Sequence, residues 1–316
     1  MKRTLNFAVM LLAVVAVIAS GCKKEDNNGG NSGGGDNPAT TYTVTFKANG
    51  GTGTMQPQTF TEGETKALTA NAFTYQTHEF ASWNTSADGT GNAYTDGQVI
   101  TVTANMTLYA QWSNTINGHE WVDLGLPSGL LWATCNVGAD IPEAYGNYYS
   151  WGETQPRAGN AYCWENYVYA NGSGTKLKKY CNQPNFGNNG FTDNFRTLLP
   201  EDDAATANWG NGWRMPTETE FRELYENCEM AWTTQNHVQG RLFTASNGNS
   251  IFMPAAGRYW SGLAITVGSR GSYWSSSLYT FSPNCAWHFD FTTGYDMETL
   301  ERCYGLTVRP VCSAQN

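Results

Sequence analysis

Four histidines, His78, His119, His237 and His288, are the only imidazoles available for general acid–base work. A hydrolase needs a nucleophile, a base beside it and an acid that orients the base. The one grouping that offers those types is Ser275–Ser277 with His288 and Asp290. In a strand Trp287-His-Phe-Asp-Phe291, however, side chains alternate between faces. The aromatic residues then point to the core, and His288 and Asp290 are expected to face water. No Walker loop and no complete G-x-G-x-x-G occurs, so no phosphate cradle is expected. Glu201-Asp-Asp203 cannot converge on calcium from three successive helical positions, and they suit a helix start instead. No catalytic residue, metal site or cofactor is expected, and the chain reads as a non-enzyme.

Cysteine chemistry is the next possibility. Cys135, Cys163, Cys181, Cys228, Cys285, Cys303 and Cys312 include no C-x-x-C and no histidine at zinc-finger spacing, which argues against structural zinc. In an oxidising compartment six of them would pair. Cys163–Cys181 is expected as a loop staple, Cys135–Cys312 as a tie between the ends of the second module, and Cys285–Cys303 as the remaining pair. Cys228, on the apolar face of a helix, would stay a buried thiol.

The compartment follows from the first residues. Lys2-Arg3 precede an apolar stretch, Phe7 to Ile18, and Ala19-Ser-Gly-Cys22 follows. The stretch is too short to span a bilayer comfortably and fits a signal peptide. Residues 19–22 resemble a bacterial lipobox. The resemblance implies cleavage after residue 21, acylation of Cys22 and attachment to a membrane through buried methylenes. The implied location is the cell envelope, at the surface of the outer membrane. Residues 22–40, rich in Gly, Asn and Ser, read as a flexible tether.

Composition narrows the rest. Of 316 residues 14% are aromatic and only 14% charged, with 34 glycines. Globular proteins average about 25% charged residues. The profile points to a turn-rich, mostly β or α+β protein with aromatic cores. Without the leader the chain has 16 basic against 27 acidic residues. That excess of negative charge argues against a nucleic-acid partner.

Residues 41–113 read as a small β module. Tyr42–Phe46, Val99–Val102 and Met106–Trp112 alternate, Asn49-Gly-Gly51 makes a turn, and Leu68, Phe73, Phe80 and Trp83 supply a core. Together with Phe80-Ala-Ser-Trp83, Asp96-Gly97 and Leu108-Tyr-Ala-Gln-Trp112, these segments resemble a Listeria–Bacteroides repeat, the internalin B-type repeat. That resemblance implies a β-grasp-like fold and a spacer or adhesion role at a bacterial surface. Residues 114–118 read as a polar hinge.

Residues 117–313 carry Asp123-Leu-Gly-Leu-Pro-Ser-Gly-Leu-Leu-Trp-Ala-Thr-Cys-Asn-Val-Gly138, Tyr145-Gly-Asn-Tyr-Tyr-Ser-Trp-Gly-Glu153, Tyr273-Trp-Ser-Ser-Ser277 and Gly305-Leu-Thr-Val-Arg-Pro-Val-Cys312. Pro200–Ala207 reads as a helix with Pro at its start. Thr217-Glu-Thr-Glu220 is a capping box, followed by Phe221, Leu224, Tyr225, Cys228 and Trp232 on one helical face. Further strands are expected at Ser250–Pro254, Trp287–Phe291 and Leu306–Val311. These motifs resemble the Fibrobacter succinogenes major paralogous domain, which implies a C-type-lectin-like α+β scaffold that binds rather than reacts. Tyr162, Trp164, Tyr167 and Tyr169, in the irregular region 154–197, are the candidate rings for a glycan or a protein partner at a host or bacterial surface. The alternatives are an extracellular carbohydrate-active or protein-modifying enzyme and a structural envelope protein. The sequence gives no oligomeric state.

Overall fold

The computed structural model describes residues 39–314. The fold is mostly β, with α-helix confined to two short segments among the described residues.

The first module contains β1 (Thr41–Lys47), β2 (Gln58–Thr61), β3 (Thr65–Ala67), β4 (Glu79–Asn84), β5 (Ala93–Tyr94), β6 (Val99–Thr101) and β7 (Met106–Ser113). Five of these form a sheet in the order β2-β1-β7-β4-β5, and β3 pairs with β6. β1 and β7 run parallel, with Phe46 opposite Leu108, and the other pairs are antiparallel. The alternation of β1 and β7 puts Val44, Phe46, Leu108 and Ala110 on one buried face, where they close on Phe60, Leu68, Phe73 and Trp83. At the turn, Asn49 and Gly50 both have positive φ, 48° and 96°, which favours these two residue types. Asn49 Nδ2 fixes that turn by donating to the carbonyls of Ala87 (2.8 Å) and Ala110 (2.9 Å).

Residues 114–118 are not a hinge. β8 (Thr115–Ile116) pairs with β9 (His119–Asp123), and Asn117-Gly118, at φ 51° and 76°, make the two-residue turn between them. The expectation of a polar linker failed because Asn-Gly serves a tight hairpin as readily as a loop. The seam is then locked by side chains. Trp121 Nε1 donates to the Thr77 carbonyl at 3.2 Å, Trp213 Nε1 to the Ile116 carbonyl at 2.9 Å, and Asn117 Nδ2 to the Trp209 carbonyl at 2.8 Å.

Beyond the seam follow β10 (Leu130–Ala133), α1 (Ala204–Trp209), β11 (Trp213–Arg214), α2 (Glu218–Asn227), β12 (Cys228–Gln235), β13 (Val238–Ala245) and β14 (Ser250–Pro254). The chain ends with β15 (Arg258–Trp260), β16 (Leu263–Ile265), β17 (Gly271–Leu278), β18 (Cys285–Phe291), β19 (Tyr295–Glu301) and β20 (Val311–Ser313). One sheet has the order β11-β20-β10-β9-β8; two three-stranded antiparallel meanders, β12-β13-β14 and β17-β18-β19, stand beside it.

Local signals explain most of these elements. α2 begins at the expected capping box: Thr217 accepts from the Glu220 N–H, and Glu220 accepts from the Thr217 N–H at 2.8 Å. It ends at Asn227, so Cys228 and Trp232 belong to β12 rather than to the helix face. The run Trp232-Thr-Thr234 prefers a strand, and that preference overrides the apparent helical spacing. The Pro200 segment is a 3-10 turn over Pro200–Asp202 that hands over to α1. Asp203 is the cap there, accepting from Ala205 N and Thr206 N. Leu306–Val311 is regular only at its end; Leu306 and Thr307 make isolated bridges to Tyr149 and Tyr273.

Two cores flank the β17-β18-β19 meander. Trp121, Trp151, Trp213, Trp274 and Leu306 lie in one, and Trp132, Phe221, Phe243, Tyr273, Phe289 and Phe291 in the other. Burying such a side chain is worth roughly 1.5–3 kcal/mol. The aromatic excess in the composition is spent here.

Candidate functional site

The segment from Tyr148 to Tyr169 has no regular strand, yet buried groups hold it firmly. Tyr149 exchanges backbone hydrogen bonds with Leu306 (2.8 and 3.1 Å), and Trp151 N–H donates to the Arg302 carbonyl at 2.8 Å. The Trp151 indole is fully buried and donates to the Ser275 carbonyl at 2.8 Å. Beneath it, the Arg302 guanidinium lies 5.2 Å from both the Trp151 and the Tyr167 ring. A chain pinned at these points can present a rigid surface without secondary structure.

That surface is a cleft of about 540 Å³, bordered by Glu153, Gln155, Arg157, Asn166, Val168 and Tyr169. Gly152 forms its floor at φ 83°; a Cβ there would stand 3.2 Å from the Tyr169 ring and 3.3 Å from Leu198. Glu153 accepts from the Arg157 guanidinium and, at 2.9 Å, from the Val168 N–H. Burial holds the Glu153 carboxyl above the usual carboxylate range, although Val168 N–H and Arg157 pull the other way. Asn166 Nδ2 donates to the Ala161 carbonyl at 3.1 Å. Val168 stands 52% exposed, an apolar side chain at a polar rim.

Tyr169 is positioned from behind. Its hydroxyl donates to Asp202 Oδ1 at 2.5 Å, while the Tyr180 hydroxyl and Lys179 Nζ (2.5 Å) meet the other oxygen. Burial and the Asp202 carboxylate together push the Tyr169 hydroxyl up, so it stays a neutral donor.

The four rings expected to meet a ligand are divided by this geometry. Tyr162 and Tyr167 are buried, and their hydroxyls donate to the carbonyls of Tyr148 and Trp151, so neither has a face to offer. They are core residues. Ring counts along a sequence do not say which rings the chain folds over. Trp164 is half-buried, with Nε1 donating to Glu301 Oε2 at 3.3 Å, and Tyr169 alone of the four borders the cleft. Sequence reasoning missed Glu153 and Arg157, whose spacing of four residues suggested nothing outside a helix.

The catalytic alternative does not assemble. Ser275 Oγ donates to the Trp287 carbonyl (2.8 Å), Ser276 Oγ to the Pro216 carbonyl (3.3 Å), and Ser277 Oγ accepts from Glu218 N (3.1 Å). None reaches His288. Contrary to expectation, His288 and Asp290 are buried, because both faces of β18 are packed. Asp290 accepts from Ser272 Oγ (2.8 Å) and Arg270 Nε (2.7 Å), and His288 Nε2 lies 3.5 Å from Asp290 Oδ2. Desolvation would raise the Asp290 carboxyl, but His288, Ser272 and Arg270 hold it below its ordinary value. Among the described residues, His288, Asp290 and Glu298 stand close enough together to hold a metal ion.

All seven described cysteines are free thiols, so none of the three expected pairs is formed. Spacing in sequence could not show distance in the fold. Cys181 is buried and donates to the Gln183 carbonyl at 3.1 Å, whereas Cys163 is half-buried beside Asn166. Cys312, buried in β20, sits opposite Leu131 and Trp213, and Cys135 packs at the edge of the same core as a free thiol. Burial pushes the Cys285 thiol up to about 11 and the Cys312 thiol up to about 12. Cys22 lies outside the described residues.

The parallel β1–β7 pair, the Asn49-Gly50 turn and the closing Leu108–Trp112 strand all fall within one stretch of the chain. Residues 42–111 match the Listeria-Bacteroides repeat domain. No curated protein and no solved structure matches the chain.

Proposed function

We propose that this is a lipid-anchored surface protein that uses the cleft beside Tyr169 to bind a glycan, without catalysis. The observation that carries the reading is the make-up of the cleft: a fixed ion pair, two amides, an exposed aliphatic group and one aromatic ring. Such a set gives hydrogen bonds to hydroxyls and an apolar wall for a sugar face. The one carboxylate that borders it, Glu153, is tied to the Arg157 guanidinium and the Val168 N–H, which favours a binding role over a catalytic one. A single Listeria-Bacteroides repeat, a type associated with bacterial surfaces, supports a spacer that carries the binding module. The leader and the lipobox-like residues before Cys22 support acylation there and a location at the outer membrane.

Two experiments test this. A glycan and matrix-protein array probed with the intact chain should give glycan ligands whose signal is lost in Tyr169→Ala. Binding only to proteins, or none at all, refutes the reading. Cys22→Ser should move the protein from the membrane fraction to the soluble one, and retention would contradict acylation.

A further inference from the structure

We propose that His288, Asp290 and Glu298 form a site for one divalent transition-metal ion on the β18–β19 ladder. The register makes the site. His288 and Asp290 are two apart on β18 and share a face, and Glu298 on β19 stands directly opposite His288. One ligand atom from each lies within 4.8 Å of the other two.

The decisive observation is His288. Its side chain is 1% exposed, and neither ring nitrogen has a hydrogen-bond partner. A buried imidazole without partners is costly, and a bound ion is one of the few things that would satisfy it between two carboxylates. Nε2 points at Asp290 Oδ2, but at 3.5 Å the two are too far apart for a good hydrogen bond. They are well placed to share an ion. Ligand distances of about 2.0–2.2 Å put neighbouring donors of a tetrahedral centre roughly 3.3–3.5 Å apart.

The surroundings suit a metal site. Arg270 Nε occupies Asp290 Oδ1, and Ser272 Oγ donates to Oδ2, so the carboxylate is oriented while Oδ2 keeps a free lone pair. Arg270 Nη2 is 3.6 Å from Glu298 Oε2, too long to tie it down. The Glu298 side chain is 52% exposed, so no packing holds it away from an ion at His288 and Asp290. One imidazole and two carboxylates suit zinc, cobalt or manganese, with a remaining position open to water on the Glu298 side.

Cobalt(II) chloride is the probe, titrated into the intact chain, because its spectrum separates imidazole–carboxylate ligation from binding by the free thiols. The expected result is one saturable equivalent with weak visible bands and no thiolate charge-transfer band in the near ultraviolet. Glu298→Gln, a surface change, should weaken that binding roughly tenfold or more. His288→Gln should abolish the visible bands if it folds, and the surface variant keeps the test decisive if it does not. Absence of visible bands, a signal made only of thiolate bands, or equal affinity in Glu298→Gln each overturns the site.

Discussion

Arg309 offers a quantitative test of how this fold is held. Its guanidinium is fully buried and has no carboxylate within ion-pair distance among the described residues. Instead Nε donates to Asn136 Oδ1 (2.8 Å), Nη1 to the carbonyls of Ala133 (3.0 Å) and Thr134 (2.7 Å), and Nη2 to that of Phe252 (3.0 Å). Four acceptors from two segments, 133–136 and Phe252, thus converge on one side chain. Burial pushes the Arg309 pKa down, with Tyr273 and Cys135 opposing, yet an arginine stays charged. Arg309→Met fills similar space and removes every donor. Each acceptor left unsatisfied costs about 1–3 kcal/mol. If two stay dry while the others find water or a neighbour, the loss is about 4 kcal/mol. For a unit of this size that lowers the melting temperature by roughly 8–16 °C. Thermal unfolding by circular dichroism measures it directly, with Arg309→Lys losing less because an ammonium still reaches some acceptors. A melting point for Arg309→Met within about 3 °C of the parent would refute this reasoning.

Glu220 should make stability depend on acid: burial opposes its charge, but paired bonds from Arg214 (2.6 and 2.7 Å) and the Thr217 N–H hold its carboxyl below the ordinary value. Its contribution is therefore complete above the unfolded carboxyl pKa and is lost as pH falls through the depressed native value. Arg214 is 37% exposed, so Glu220→Gln should cost only about 1 kcal/mol at neutral pH. In denaturant melts that gap should close below about pH 4, and a constant gap would contradict the assignment. Alkylation in denaturant without reductant should label all seven of Cys135, Cys163, Cys181, Cys228, Cys285, Cys303 and Cys312. A peptide joining Cys163 to Cys181 would show the reverse. Gly152→Ala, strained at φ 83° and crowded against Tyr169, should cost about 1–2 kcal/mol and weaken ligand binding. Unchanged melting would mean that the floor of the cleft yields freely.

Where one face of a strand is buried, alternation reads true, and β1, β6 and β7 fall where Tyr42–Phe46, Val99–Val102 and Met106–Trp112 indicate. The capping box marked the start of α2 because its reciprocal bonds are local. β18 is different. A strand packed on both sides breaks the rule that polar alternate residues face water, so His288 and Asp290 came out buried. The cleft was legible only as a region rich in rings. Tyr169 borders it and Tyr162 does not because Trp151 and Arg302, distant in sequence from each other, decide which way the segment folds. Thiol pairing depends on the same long-range geometry, which spacing alone does not contain.

The central claim is that the cleft beside Tyr169 binds a glycan. Calorimetric titration of the strongest array ligand into the parent and into Arg157→Ala, Val168→Asp and Tyr169→Ala tests it most directly. The account predicts saturable binding to the parent at one site. It also predicts that Tyr169→Ala loses at least tenfold in affinity, as fits the removal of one ring contact and a hydrogen-bonded anchor. Equal affinity in all three variants would contradict it.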